Sequence, residues 1–246
     1  MRRTTAGRLA VAAAVVAVLA GCDGSRAAAP AAASSPPTYG CLTAEQAAKG
    51  SVTVEGLASL EAYYRDSDAG GAKIAVVFSH QNGGSLCDWI PYLDSFTRAG
   101  YAVLPFNANG TVSDGIEEAA GYLKGKGVAK VVLVGASKGG TGSLVAGALP
   151  DLALPPAAVV SLSAPESFSG DNAGTAVKRL TAPVLFAAEE RDQPFADSAR
   201  SLHAAAAAAD KQLKIYPGGN HGATLLSDGA LPDVLAFLAR WAPPRG

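Results

Sequence analysis

The chain has 246 residues, with 20 Lys and Arg against 21 Asp and Glu, so its formal net charge is −1, and 49% of its residues are hydrophobic. The near-neutral balance gives no indication of a nucleic acid or another polyanion as a partner. None of the three histidines or three cysteines falls in a His-x-x-x-His or Cys-x-x-Cys motif, so neither a metal nor another cofactor is predicted.

The N-terminus is typical of an export signal. Residues 1–8 include three arginines, residues 9–20 are an unbroken apolar stretch of twelve, and Leu19-Ala-Gly-Cys22 follows. Twelve helical residues cover about 18 Å, well short of the roughly 30 Å hydrocarbon core. The pattern therefore predicts a signal peptide over residues 1–21, not a membrane span. The pair Arg2-Arg3 leaves twin-arginine export open beside the general secretory route.

The Leu-Ala-Gly-Cys ending is similar to the lipobox of bacterial lipoproteins, in which the cysteine is lipidated and becomes the first residue after cleavage. This implies a lipid on Cys22 that holds the protein at the extracytoplasmic face of the cell membrane, where several buried acyl chains give stable anchoring. An ordinary secreted protein with a chance cysteine is the alternative. Residues 22–40 are rich in Ala, Ser and Pro without apolar periodicity, so they are predicted to form a tether.

The remaining cysteines, Cys41 and Cys87, are a pair in a chain predicted to be exported. A disulfide fits that compartment and would join the segment ahead of the first strand to the start of the helix that follows the third. Two reduced, buried cysteines are the alternative. The folded domain is predicted over residues 41–246, which is long enough for one substantial core.

Within that domain, apolar strand candidates alternate with helical stretches. The predicted strands are residues 52–55, 58–64, 74–78, 102–105, 131–134, 158–162, 184–187 and 213–216. The predicted helices are residues 89–98, 115–124, 140–149, 196–209 and 232–241. Such alternation is typical of a mostly parallel central sheet with helices on both faces. The runs 74–78 and 131–134 are continuously apolar, as strands buried on both faces are.

One strand leads directly into a nucleophile pattern. Residues 131–134 are Val-Val-Leu-Val, and Gly135-Ala-Ser137-Lys-Gly139 follows, ahead of a predicted helix. In a Gly-x-Ser-x-Gly elbow, the serine sits on a sharp strand-to-helix turn that exposes its hydroxyl, and small neighbours let the turn close. Ser137 is thus the candidate nucleophile; a small residue filling a tight turn in a binding protein is the alternative.

An acid and a base follow in the order that such a serine requires. Asp192 follows the strand at 184–187, and His221 follows the strand at 213–216. An imidazole can take the proton of the attacking serine, and a carboxylate fixes its tautomer and stabilises the imidazolium. Asp192 could instead cap the helix at 196–209. Other carboxylates that could serve as the acid are Glu166, Glu189 and Glu190.

These residues and their order resemble the α/β-hydrolase family, over about residues 52–241. The resemblance implies the α/β-hydrolase fold, with site residues on loops after strands. Residues 163–181, between the sixth and seventh predicted strands, leave no room for a large cap domain. Trp89, Phe168 and Phe195 are candidate pocket walls, with burial in the core as the alternative.

The segment Ser79-His80-Gln81-Asn82-Gly83-Gly84 resembles the family's oxyanion loop. Carried over by position, the resemblance implies that the backbone N–H groups of Asn82 and Lys138 bind the oxyanion. The family usually has glycine where this chain has Gln81, and a glutamine resists backbone angles that a glycine allows, which leaves open whether Gln81 or Asn82 turns its N–H inward. His80 is expected to hold the loop by hydrogen bonds. The Lys138 side chain is expected to be solvated or paired, with anion binding as the alternative.

The resemblance implies a serine hydrolase that cleaves carboxylic esters or related acyl bonds of small-molecule substrates. A thioesterase or peptidase would use the same residues, and a ligand-binding surface lipoprotein could keep the fold without turnover. Glycine richness alone suggests a nucleotide-binding oxidoreductase. Gly140-Thr-Gly142-Ser-Leu-Val145 has valine where Gly-x-Gly-x-x-Gly needs its third glycine, which argues against that class.

Overall fold

The computed structural model describes residues 35–56 and 59–244. The predicted signal peptide, the predicted lipidation site Cys22 and tether residues 22–34 lie outside the described residues. None of the helices in the described part of the chain is long and apolar enough to cross a membrane.

A mostly parallel sheet forms the centre of the domain. Strands are β1 (Ser51–Val54), β2 (Leu60–Tyr63), β3 (Ile74–Ser79), β4 (Ala102–Phe106), β5 (Lys130–Ala136), β6 (Pro156–Leu162), β7 (Ser167–Phe168), β8 (Asp171–Asn172), β9 (Val184–Glu189) and β10 (Lys211–Tyr216). Eight of these strands, counted over the described residues, make one sheet in the order β1-β2-β4-β3-β5-β6-β9-β10. The pairs β1–β2 and β2–β4 are antiparallel and the rest are parallel. The predicted parallel core is therefore confirmed.

Helices cover both faces of this sheet. They are α1 (Ala44–Gly50), α2 (Leu93–Arg98), α3 (Val112–Gly125), α4 (Lys138–Gly147), α5 (Ala173–Ala176), α6 (Phe195–Ala205) and α7 (Ala230–Trp241). Along β5, Val131 and Leu133 join the core beneath α3, α4 and α6, whereas Val132 and Val134 join the core beneath α2 and α7. Successive side chains of a strand point to opposite faces, so burial on both faces requires the unbroken apolar run.

The bounds of the predicted helices differ from the observed ones, most of all at two helices. The segment 89–98 begins with a 3-10 turn at Ile90–Tyr92, and α2 starts only at Leu93, because Pro91 has no N–H to donate and is tolerated only in the first turn of a helix. The helix predicted over 196–209 ends at Ala205. Beyond it, the Ala207 N–H donates to the Val177 carbonyl at 2.9 Å, which turns the chain towards β10.

The predicted disulfide is present between Cys41 and Cys87, whose Cα atoms lie 5.7 Å apart. Cys41 precedes α1, and Cys87 lies in the 3-10 turn Leu86–Asp88 that follows the loop after β3. The bond thus ties the N-terminal segment of the domain to the neighbourhood of that loop.

We expect removal of this bond, by Cys41→Ser with Cys87→Ser, to lower the free energy of unfolding. A sequence separation of 46 corresponds to about 4 kcal/mol of unfolded-state entropy in the chain-entropy model. Urea unfolding at equilibrium measures the change. As a control, thiols are counted in unreduced, denatured Cys22→Ser protein, where two reactive thiols would contradict the bridge.

Candidate active site

Ser137 occupies a sharp turn between β5 and α4. Its backbone angles are φ 51° and ψ −117°, a region that non-glycine residues seldom adopt. Its N–H donates to the Leu162 carbonyl on β6 at 2.8 Å, and its carbonyl accepts from the Thr141 N–H in the first turn of α4 at 3.0 Å. Hydrogen bonds on both sides therefore stabilise the strained turn, as at a nucleophile elbow.

Close packing under the elbow places Ser137 beside the loop after β3. A Cβ on Gly139 would overlap the carbonyl oxygen of Ser79, the last residue of β3, and would lie 2.9 Å from the His80 carbonyl oxygen. Only a glycine lets the first turn of α4 approach the β3 backbone this closely. The second glycine of Gly-x-Ser-x-Gly thus joins the nucleophile to the predicted oxyanion loop.

Asp192 and His221 form a hydrogen-bonded pair. The His221 Nδ1 lies 2.9 Å from Asp192 Oδ2 and 3.1 Å from Oδ1. Asp192 is buried, and the His221 side chain is 31% exposed. A carboxylate can only accept here, so Nδ1 carries the proton and Nε2 remains as the nitrogen that can take one.

The loop that carries His221 turns back from the edge strand β10 over the end of β5. Leu225 and Leu226 are buried in the same apolar core as Val134 of β5. A Cβ on Gly222 would lie 3.3 Å from the Cβ of Ala136, the residue before the candidate nucleophile. His221 therefore lies next in sequence to a residue packed on the elbow. Among the described residues, no hydrogen bond joins the Ser137 hydroxyl to the His221 ring, a contact that often tightens only when substrate binds.

Of the four carboxylates considered from sequence, Asp192 is the one that faces the histidine. Glu190 and Glu166 are exposed. Glu189 is 1% exposed, and its Oε2 accepts a 2.6 Å hydrogen bond from the Asn220 N–H. Glu189 thus holds the backbone just before His221, a role for which there is no local signal in the sequence.

His80 holds the loop after β3 through both of its ring nitrogens. Nδ1 lies 2.8 Å from the Gln81 carbonyl oxygen, so it must be the protonated nitrogen, and Nε2 accepts from the Ala108 N–H at 3.1 Å. Burial, together with the Lys138 charge, lowers the pKa of His80 from its usual range. The expected structural role of His80 is confirmed by these bonds.

The predicted oxyanion donors lie in the loop after β3 and at the first residue of α4. The Gly84 N–H donates to the Gln81 carbonyl at 3.0 Å, closing a turn with Asn82 at its exposed tip and Gly83 at φ 74°. The Lys138 N–H is in the first turn of α4 and has no acceptor within the helix. Their part in binding an oxyanion stays a prediction.

The side chain of Gln81 was assigned no role from the sequence. Its Oε1 accepts a 3.2 Å hydrogen bond from the Ala223 N–H, two residues after His221. The two residues are 142 positions apart, so no local pattern could reveal this contact.

The candidate pocket walls have different positions. Trp89 is fully buried, with its ring centroid 5.0 Å from that of Phe78, so it belongs to the core and is not a pocket wall. Phe195 lies against the His221 ring, with centroids 4.3 Å apart. Phe168 is half-buried on the β7–β8 hairpin.

The Lys138 side chain is also half-buried; burial lowers its pKa, and it forms no ion pair within the described part of the chain.

The segment between β6 and β9 is short, as predicted. Residues 163–183 contain only the β7–β8 hairpin and α5 as regular elements. The buried Asp171 carboxylate accepts from the Val112 and Ser113 N–H groups at the start of α3, at 3.1 and 3.2 Å. This fastens the hairpin to the domain, and there is no large cap in the described residues.

The fold matches those of known hydrolases. No family model and no curated protein matches the sequence. The solved structure of a dienelactone hydrolase from Anabaena variabilis is 22% identical, with a TM-score of 0.63 over 78% of this chain and 94% of that one. The structure of an esterase from Pyrococcus furiosus is 16% identical, with a TM-score of 0.64 over 78% of this chain and 91% of that one. The structure of a monoacylglycerol lipase from Paleococcus ferrophilus is 16% identical, with a TM-score of 0.60 over 74% of this chain and 100% of that one.

The chain has the α/β-hydrolase fold. In open α/β sheets of this kind, ligands bind at the carboxyl ends of the strands. Ser137, Asp192 and His221 all follow the carboxyl ends of strands of the sheet, at β5, β9 and β10. Within the described residues, no group of three or more His, Cys, Asp or Glu side chains is arranged to hold a metal ion.

The lowered pKa of His80 predicts a pH-dependent stability. The fold disfavours the charged ring, so its contribution is complete above the ordinary pKa of 6.5 and is lost as the pH falls below that value. We expect the free energy of unfolding to fall less between about pH 7.5 and 5.5 in His80→Gln than in the unaltered protein, as measured by urea unfolding.

His203, whose pKa is also lowered by burial, is a second case, and His203→Gln is expected to change the pH dependence in the same direction. Its ring lies against that of Phe186 on β9, with the centroids 6.0 Å apart. An equal pH dependence in His80→Gln and the unaltered protein would contradict the assignment.

Proposed function

We propose that this protein is a serine hydrolase that cleaves carboxylic esters through an acyl-enzyme. The observation that carries the proposal is the 2.9 Å hydrogen bond between His221 Nδ1 and Asp192 Oδ2, on a loop packed against the elbow that bears Ser137. A base oriented by a carboxylate next to a strained serine is the arrangement that activates a hydroxyl for acyl transfer.

In the first half-reaction, the Ser137 Oγ attacks the ester carbonyl carbon while His221 Nε2 takes the hydroxyl proton. The carbonyl electron pair moves to oxygen, where the N–H groups of Asn82 and Lys138 stabilise it. Loss of one such donor typically costs about 3 kcal/mol in the transition state. Asp192 stabilises the imidazolium without taking the proton itself.

Collapse of this intermediate re-forms the carbonyl and expels the alcohol oxygen, which takes the proton from His221 Nε2. The acyl group is then bonded to the Ser137 Oγ. A water molecule attacks the acyl carbon while Nε2 takes one of its protons. A second collapse releases the carboxylic acid and returns that proton to Ser137, so the enzyme is regenerated.

The surroundings of the base favour substrates with apolar groups. The Phe195 ring lies 4.3 Å from that of His221, centroid to centroid, and supplies an apolar surface beside it. The short segment 163–183 carries no large cap over the site in the described residues. These features support the proposal that the substrates are esters presented from solution or from a nearby lipid surface.

A fluorophosphonate tests for an activated serine. We expect one adduct, detected by intact mass, on the full-length protein and none on Ser137→Ala, because the reagent phosphonylates only a serine whose proton a base removes. Substantial ester turnover by Ser137→Ala would contradict the mechanism. No adduct on the unaltered protein would point to a binding protein on the same fold.

The same assay contains a test of the acid. Asp192→Asn is expected to slow both labelling and ester turnover by about 10⁴-fold, because an amide in place of the carboxylate favours the wrong tautomer of His221. Glu190→Gln is the matched control. Glu190 is two residues from Asp192 and exposed, and among the described residues its side chain forms no hydrogen bond with the His221 imidazole. Equal loss in both variants would reject Asp192 as the acid.

We further propose that the enzyme is exported and held at the cell membrane by lipid on Cys22. The support is the apolar stretch at 9–20 followed by Leu-Ala-Gly-Cys. We expect the mature chain to partition with membranes and to carry added acyl mass at Cys22, and Cys22→Ser to lose both. Unmodified Cys22 in a soluble exported chain would contradict the anchor.

A further inference from the structure

Two loops that carry different parts of the candidate site are joined by one side chain. The oxyanion loop (residues 80–85) follows β3, and the histidine loop (residues 217–226) follows β10. Three strands, β5, β6 and β9, separate β3 from β10 in the sheet. The histidine loop folds back over the end of β5, beside β3, and there the Gln81 Oε1 accepts the Ala223 N–H at 3.2 Å.

The histidine loop is shaped to receive this side chain. Gly222 has φ 68°, a left-handed conformation, and a Cβ built there would overlap the Gln81 Oε1. Glycine therefore supplies both the backbone angle and the space for the amide oxygen. Because Gly222 lies between His221 and Ala223, the contact is made directly beside the candidate base.

The other end of Gln81 is fixed as well. Its carbonyl accepts from His80 Nδ1 at 2.8 Å and from the Gly84 N–H at 3.0 Å. A Cβ on Gly84 would lie 3.1 Å from the Gln81 Cγ, so the turn packs against the stem of the side chain. The amide thus extends from an anchored backbone, and its contact can transmit position from one loop to the other.

On the opposite side of His221, Glu189 performs a similar task. Its Oε2 accepts the Asn220 N–H at 2.6 Å from the end of β9. The backbone amides at 220 and 223 are therefore both bound by side-chain oxygens, with His221 between them. Glu189 ties the loop to the strand that precedes Asp192, whereas Gln81 ties it to the oxyanion loop.

We propose that Gln81 is a positioning residue, which couples the oxyanion loop to the histidine loop and sets the base relative to the oxyanion donors. This inference rests on the proposed function. It explains why glutamine stands where the family usually has glycine: the backbone freedom of glycine is given up for an amide that fixes both loops. Small displacements of catalytic groups reduce rates steeply, so such a contact acts on kcat.

The test compares three variants of the full-length protein. Gln81→Met keeps the stem but removes the acceptor, Gln81→Gly installs the family's usual residue, and Gln81→Glu keeps an acceptor oxygen. We expect Gln81→Met and Gln81→Gly to lower kcat for a p-nitrophenyl ester by about tenfold, the effect of about one hydrogen bond, with KM changed less than about twofold. We expect Gln81→Glu to keep most of the kcat of the unaltered protein.

Hydrogen exchange of peptides covering residues 218–226 supplies a readout that does not need turnover. We expect faster exchange in Gln81→Met and Gln81→Gly because the Ala223 N–H loses its acceptor. Ser227→Ala is the matched control: it removes the bond from the Ser227 hydroxyl to the Thr224 carbonyl in the same loop, and we expect both kcat and exchange of the Ala223 region to stay unchanged.

The outcomes separate this inference from the proposed function. Absence of fluorophosphonate labelling and turnover in the unaltered protein would reject the hydrolase, while faster exchange in Gln81→Met would still support the coupling of the loops. Exchange equal to that of the unaltered protein in Gln81→Met, or an unaltered kcat in Gln81→Gly, would overturn the role of Gln81.

Discussion

The candidate site depends on the burial of one carboxylate. Asp192 is 7% exposed, and a buried charge is costly unless hydrogen bonds compensate it. The His221 imidazole supplies that compensation and in return is fixed in orientation. The pair forms only because the loop after β10, at the edge of the sheet, folds back over β5. Burial of Leu225 and Leu226 in the core stabilises this path of the loop. The hydrogen bond between His221 and Asp192 therefore depends on the apolar packing of the loop.

The central part of the fold could be predicted because its signals are local. Continuous apolar runs mark β3 and β5, which are buried on both faces, and Gly-x-Ser-x-Gly marks the turn at Ser137. Helix ends were less predictable. The helix α6 stops at Ala205 within a run of alanines, all strong helix formers, because a hydrogen bond from Ala207 to Val177 redirects the chain. Propensity alone extends the helix through that run.

The same distinction applies to the site. Ser137, Asp192 and His221 could be proposed from short motifs and their order, since each lies just after a strand. The structure shows that Asp192 faces His221, whereas the alternative Glu189 binds the Asn220 N–H. Glu189 and Gln81 act through backbone amides that are 31 and 142 residues away. Trp89 was a candidate pocket wall but fills the core against Phe78. Side-chain contacts between distant segments leave no periodic pattern in the sequence, so they appear only when the chain is folded.

The two histidines near the elbow show how hydrogen bonds divide chemical roles between identical side chains. His80 uses both ring nitrogens, one as donor to the Gln81 carbonyl and one as acceptor from the Ala108 N–H, and burial lowers its pKa. Such a ring is held neutral and has no nitrogen left to take a proton from substrate or serine. Among the described residues, the His221 ring is hydrogen-bonded only through Nδ1, to Asp192, and Nε2 has no hydrogen-bond partner. A carboxylate on one nitrogen leaves the other basic, whereas backbone groups on both make the ring a structural link. The second ring nitrogen therefore distinguishes the structural His80 from the candidate base His221.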